Sequence, residues 1–334
     1  MRAAVVDIGT NSTRLLIADV DMDGRVAEIV RRSVVTRLGA GVDAGGELSD
    51  EGCERVLAAL KGFRDEIDAH EDGDEDGGSY PNLAVMTSAV RDARNGREFA
   101  EKIRSEYKLD ARILTGEEEA KMTFLGAMSG RPIGDGHTPT EPTVVVDIGG
   151  GSTEFIVGVE LTPGFHVSLP AGVVRMSERH IHSDPPKAAE LQELAADARA
   201  IYLAGLPQAE RAQVKRGIAV AGTATSAAAI DQELDPYDPE RVHGYPLMLA
   251  TVEMLLARLA DMDEARRRGL VGLHPDRAPT IVAGMILLSE AMRAFDLDEV
   301  EVSEHDILHG GALSLARRDL SVGLDSGEHG SSNM

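Results

Sequence analysis

The chain has a single cysteine, Cys53. One thiol cannot form an internal disulfide or a cysteine-based zinc site. Lysine is also scarce, six residues against 28 arginines, and the 334-residue chain carries a formal charge of −23. So acidic a surface argues against general nucleic-acid binding, which needs a basic stripe. It suits a salt-loving, halophilic source, because the Debye length shrinks to about 3 Å at 1 M salt and self-repulsion becomes small. Any anionic ligand must then be held locally, by backbone N–H groups, arginines and a metal. Long apolar runs are missing too. None approaches the ~20 residues of a transmembrane helix. The opening MRAAVVDIGT breaks at Asp7 and reads as a strand rather than a signal peptide. We expect no membrane partner and a cytoplasmic location.

What the chain does have is one phrase written twice. VVVDIGGGSTE at 144–154 nearly repeats AVVDIGTNSTR at 4–14, and an apolar run follows each copy. Alternation and turn signals predict three antiparallel strands in the first 40 residues, with Asp23-Gly24 as a hairpin turn. Helical spacing follows at 50–69, then strand 83–87, helix 96–107, strand 111–114 and helix 117–128. EDGDEDGGS (71–79) reads as an exposed acidic loop and GRPIGDGHTPTEP (130–142) as a connector. The second half repeats the plan: strands TVVVD, EFIVGVE and FHVSLP, then helices near 173–181 and 187–204. A strand, Gly-Thr turn and helix cover 217–230. Helices at 247–261 and 277–295, strand 299–303 and helix 305–317 complete it, with a frayed tail from Asp319. This is an internal duplication: two α/β domains with mixed sheets around one central cleft. The expected domains are residues 1–128, joined by the last helix at 305–317, and residues 129–304.

A glycine turn after a strand exposes successive backbone N–H groups and permits close approach, which suits phosphate. Ser and Thr add hydroxyl donors. The aspartates before the turns, Asp7 and Asp147, cannot hold phosphate directly; they suit a divalent cation or a water. AVAGTATS (219–226) is a third anion candidate, at the helix start marked by Gly222 and Thr223. Neither GxxxxGK[ST] nor a GxGxxG opening a helix is present. Hydrolysis also needs a base for the attacking water. TGEEEAKMTFLGAM (115–128) puts three glutamates in one first helical turn, which helps keep a base ionised. Glu154 is a rival, standing where the first copy has Arg14. That asymmetry suggests one turn supplying positive charge and the other carboxylates.

DIGTNSTRLLI (7–17), TSAVRDA (87–93), GEEEA (116–120), VVVDIGGGSTE (144–154) and AGTATS (221–226) together resemble the exopolyphosphatase/guanosine pentaphosphatase family. That family sits within the actin, sugar kinase and Hsp70 superfamily, so the implied fold is a pair of actin-like (ribonuclease H-like) domains. The resemblance runs over about residues 3–317 and implies release of terminal phosphate from inorganic polyphosphate or pppGpp, with Mg²⁺ or Mn²⁺. Carried over by motif, Glu119 is the water-activating base, Asp147 holds the metal or the water, and Glu154 assists. Asp7 and Glu154 join Asp147 as the candidate metal set. Asn11, Ser12 and Thr13 cradle phosphate from the first domain, and Gly149, Gly150, Gly151 and Ser152 from the second. Arg91 pairs with phosphate oxygens, and Arg37 in TRLGAG is a further contact. A homodimer is implied. The chain stops short of the HD-type domain of longer members, so the expectation is a short form lacking their extended channel. Where many members have Gly-Leu-Arg-Glu-Gly, this chain has Asp306-Ile307-Leu308-His309-Gly310, and no role is transferred there.

His305 and His309 stand four apart but lack HExxH chemistry; they read as an ordinary helix start, and His180 and His182 offer no better ligand set. His243 reads as a site-edge residue. Two other functions are kept in view: a small-molecule kinase of the same fold, and a catalytically weak polyphosphate or alarmone sensor.

Overall fold

The structure is a computed structural model that describes residues 1–71, 79–129 and 141–321. The acidic loop and the connector therefore lie almost wholly outside the described residues, as does the tail beyond Ser321.

Two sheets organise the molecule. In the first, β1 (Arg2–Ile8), β2 (Ser12–Val20) and β3 (Val26–Val35) form an antiparallel meander, and β4 (Asn82–Met86) and β5 (Ala111–Ile113) extend it in parallel beyond β1. The second begins identically. β6 (Thr143–Ile148), β7 (Thr153–Val159) and β8 (Thr162–Leu169) make the meander; β9 (Arg216–Val220) runs parallel to β6. β10 (Pro246–Met248) and β11 (Glu299–Val302) then complete the order β10-β11-β9-β6-β7-β8. The shared order of meander plus parallel strands is the duplication expected from the repeated phrase.

Period-two alternation assigns each side chain to a face. Ala4, Val6 and Ile8 of β1 point outward to the helices Asp50–Glu71 and Gly96–Tyr107, while Ala3 and Val5 point inward. In β6, Val144, Val146 and Ile148 join the large outer core, and Val145 points inward. The inner faces carry two helices. Gly116–Met128 lays Ala120, Phe124 and Ala127 on the second sheet, and Ile307–Ser321 lays Ile307, Leu308 and Ala312 on the first. These helices cross at glycines. A Cβ at Gly126 would meet the Asp306 carbonyl oxygen at 1.8 Å, and one at Gly310 the Met122 carbonyl oxygen at 1.9 Å.

Several element boundaries differ from expectation. The helix expected from 247 opens with strand β10, because Pro246 cannot donate to a ladder and suits an edge strand. The helix expected from 277 starts at Ile281, after a 3₁₀ turn at Pro275–Arg277. The Gly-Thr turn expected after β9 is the first turn of the helix Ala221–Asp231 itself, entered through a left-handed Ala221, φ 63°.

Candidate active site

Inward alternation delivers the chemistry. Asp7 follows Val5 on the inner face of β1, and Asp147 follows Val145 on that of β6. In the antiparallel registers Asp7 lies opposite Arg14, and Asp147 opposite Glu154. The two hairpin tips close alike: Gly9 N–H donates to the Ser12 carbonyl and Gly149 N–H to the Ser152 carbonyl, each at 3.0 Å. Both tips border one cleft of about 110 Å³. Space of that size holds only a few water-sized groups. Asp7, Asn11, Ser12, Glu119, Asp147, Gly149, Gly150, Ser152, Glu154, Gly222 and Thr223 all line it.

The glutamate triplet divides its work. Thr115 caps the helix: its hydroxyl accepts from Glu118 N–H at 3.2 Å, and Glu118 accepts from Thr115 N–H at 2.9 Å. Glu117 pairs with Lys121 at 2.6 Å. Only Glu119 is buried, and it turns into the cleft. Burial, then the nearby Glu154, raises its pKa well above the ordinary carboxylate value. The favourable helix start is therefore outweighed by burial and by the crowding of neighbouring carboxylates. Asp147 is likewise raised well above its usual value by burial and Glu154, and Glu154 is raised by burial.

Four expected contacts do not line the cleft. Thr13 has outward parity, and its hydroxyl is buried 2.9 Å from that of Thr36. Gly151 packs under Thr10 and Ser88, where a Cβ would come within 2.8 Å of the Ser88 hydroxyl. Arg91 donates to Glu119 at 2.8 Å and to the Leu114 carbonyl at 3.0 Å, so it orients the Glu119 carboxylate instead of facing the cavity. Arg37 is also outside; it reaches the Asp276 carbonyl at 3.5 Å from a left-handed backbone, φ 49°. Arg14 lines the cleft, but its charge is absorbed by Asp7, at 2.7 Å, and Asp306.

Sequence reasoning missed two residues here. Asp306, assigned no role, is a buried anchor. Burial alone would raise its pKa, but Arg14 and Arg31 hold it at about 2. Arg277 lines the cleft beside Gly222 and extends into a second compartment of about 270 Å³. Among the described residues no ion pair or side-chain hydrogen bond engages it, unlike Arg14. Nothing local in HPDRAPT marks it.

The described histidines form no metal set. His243, His305 and His309 stack face to face with ring centroids 4.3 and 4.0 Å apart. Burial, then His309, pushes His305 down to about 3. His309 Nε2 lies 3.1 Å from Glu28. His180 pairs with Asp197 at 2.9 Å, and the backbone N–H of His182 bonds Glu190 at 3.3 Å. Among the described residues no three His, Cys, Asp or Glu side chains converge on one metal position. In the cleft, however, Asp7 Oδ1 is buried without a hydrogen-bond partner. Hard carboxylate oxygens left so exposed to one another suit a divalent cation.

Residues 16–318 match the Ppx/GppA phosphatase family. The chain belongs to that family, and it is a phosphoanhydride hydrolase. Exopolyphosphatase 2 of Mycobacterium tuberculosis is 35% identical over 332 residues, covering 94% of this chain and 98% of the relative. Among solved structures, an exopolyphosphatase-like protein superposes with a TM-score of 0.85 at 31% identity, covering 95% of this chain and 99% of the other. The Aquifex aeolicus Ppx/GppA family member gives 0.77 at 28% identity, covering 96% and 98%. The two sheets with their shared strand order are thus the duplicated actin-like domains of this family. Among the described residues no helix is long and apolar enough to cross a membrane.

Proposed function

We propose that the protein is an exopolyphosphatase, releasing terminal orthophosphate from inorganic polyphosphate. The observation that carries this reading is Glu119: a buried, arginine-held carboxylate in the first turn of a capped helix, lining a cleft bordered by both glycine turns. The full-length relationship to exopolyphosphatase 2 supports the polymer as substrate.

In this reading the terminal phosphate enters between the tips. N–H groups and hydroxyls of Asn11, Ser12, Gly150 and Ser152 orient its oxygens, with Gly222 and Thr223 at a helix N-terminus, while Gly149, whose N–H is committed to the Ser152 carbonyl, shapes the tip. Arg277 takes the next anionic group outward, since among the described residues no carboxylate forms an ion pair with this cleft-lining guanidinium. Glu119, held by Arg91, accepts the proton of a water aligned with the bond to be broken. Asp7, Asp147 and Glu154 do not converge on one position, so Mg²⁺ or Mn²⁺ would be held by one or two of them, with water and substrate oxygens completing its shell. When bound, such an ion supplies the positive charge that a polyanion needs beside four carboxylates. The same reading includes pppGpp as a second substrate, a homodimer, and a cytoplasmic location.

The test is phosphate release from long polyphosphate, triphosphate, pppGpp and ATP, with Mg²⁺ or Mn²⁺ present. Glu119→Gln should keep binding polyphosphate but lose turnover by about 10²- to 10⁴-fold. Release from neither polyphosphate nor pppGpp by the unmodified protein, or full turnover by the variant, would overturn the reading.

A further inference from the structure

We propose that Ser168 is a positioning residue for the hydrolysis, fixing Glu154 against the helix that carries Glu119. Ser168 sits on the edge strand β8, directly across the antiparallel register from Glu154 on β7. Cross-strand partners on one face stand roughly 4.5–5.5 Å apart at Cβ, within reach of one short hydroxyl. Its Oγ donates to Glu154 Oε1 at 2.7 Å. Glu154 is 1% exposed, so this contact lies in a site with little competing water. Ser152 supplies a second hydroxyl to the same carboxylate.

Ser168 also has a second neighbour. Gly116, the first residue of the Glu119 helix, lies so close that a Cβ there would come within 3.2 Å of Ser168 Cβ. Ser168 is therefore wedged between the Glu154 carboxylate and the start of the helix whose first turn presents Glu119. One small residue sets both the rotation of Glu154 and the spacing between the two glutamates. A larger side chain would push the helix away, and one without a hydroxyl would release Glu154. Ser168 is not among the residues lining the cleft, so it acts through Glu154 and does not touch substrate.

The proposal rests on the reading that Glu154 serves hydrolysis, and the experiment separates the two. Ser168→Ala should lower kcat on polyphosphate by about 10- to 10²-fold, the scale of a misplaced catalytic group. KM should stay within about twofold, because substrate contacts are untouched. In a Glu154→Gln background, Ser168→Ala should add little further loss, since the two act as a unit. Ser168→Thr, which keeps the hydroxyl, should retain more kcat than Ser168→Val, its match in shape. Normal kcat in Ser168→Ala, or an equal loss in both backgrounds, overturns the proposal. Should Ser168→Ala not fold, equal kcat in the Thr and Val variants overturns it. Full activity in Glu154→Gln instead removes the underlying role of Glu154.

Discussion

Glu119, Asp147 and Glu154 share a space too dry for three charges. Burial raises all three pKa values, and the neighbouring Glu154 pushes Glu119 and Asp147 up further. The sign for catalysis follows directly. A base must be ionised, so activity is lost as pH falls through a pKa above the usual carboxylate value, and the acid limb of kcat/KM should lie above about 4.5. The sign for stability is the reverse. A carboxyl whose folded pKa is raised stabilises the fold below its unfolded pKa, and that contribution is lost as pH rises through the folded value. With chelator present, the unmodified protein should therefore lose melting temperature, relative to Glu154→Gln, on going from about pH 5 to about pH 8. Melting curves that keep a constant gap between the two proteins would remove the buried-charge explanation. Asp306 behaves oppositely: held at about 2, its contribution is lost only as pH falls toward that value. Asp7, Asp147, Glu154 and Arg14 were legible in the sequence because the repeated phrase aligns them, and alternation from Val5 and Val145 gives the two aspartates their faces. The same rule turns Thr13 away, and its place beside Ser12 in the motif concealed that.

At the scale of elements, the crossing of the Gly116–Met128 and Ile307–Ser321 helices joins the two halves. Its closeness depends on having no side chain at Gly126 and Gly310. Gly310→Ala would drive a methyl into the Met122 carbonyl, which backbone cannot yield cheaply. Destabilisation of about 1–3 kcal/mol or more is expected, against the gain that Gly→Ala usually brings inside a helix. Denaturant titration measures it, and a stabilised variant would mean that the helices can separate without penalty. Sequence periodicity revealed both helices but not their crossing, since a glycine at a contact looks like any other helical glycine. Strands and hairpin tips were legible for the opposite reason: their alternation and turn chemistry are local. Arg277 was hidden because its partner surface, the Gly222 turn, is distant in sequence. Short elements such as Ser88–Asp92 and Pro239–Val242 carry too few residues to show a period.

The whole molecule sets the conditions under which the cleft meets its ligand. A formal charge of −23 repels polyphosphate at long range, while Arg277 and the backbone N–H groups attract it only once it has entered. Screening weakens the first effect more than the second, because the cleft is narrow and partly dry and the surface field acts through solvent. Added salt should therefore raise kcat/KM for polyphosphate, up to the concentration at which the local contacts are screened as well. The gain should grow with chain length, since each added phosphate carries charge that the acidic surface repels. Triphosphate should respond least. The comparison is a series from triphosphate to long chains in KCl from about 0.05 M to about 1 M, over which the Debye length falls from more than 10 Å to about 3 Å. Should long chains instead lose kcat/KM with salt more steeply than triphosphate does, a basic track along the surface must be guiding them. The described arginines, most of them paired with acidic neighbours, offer no such track.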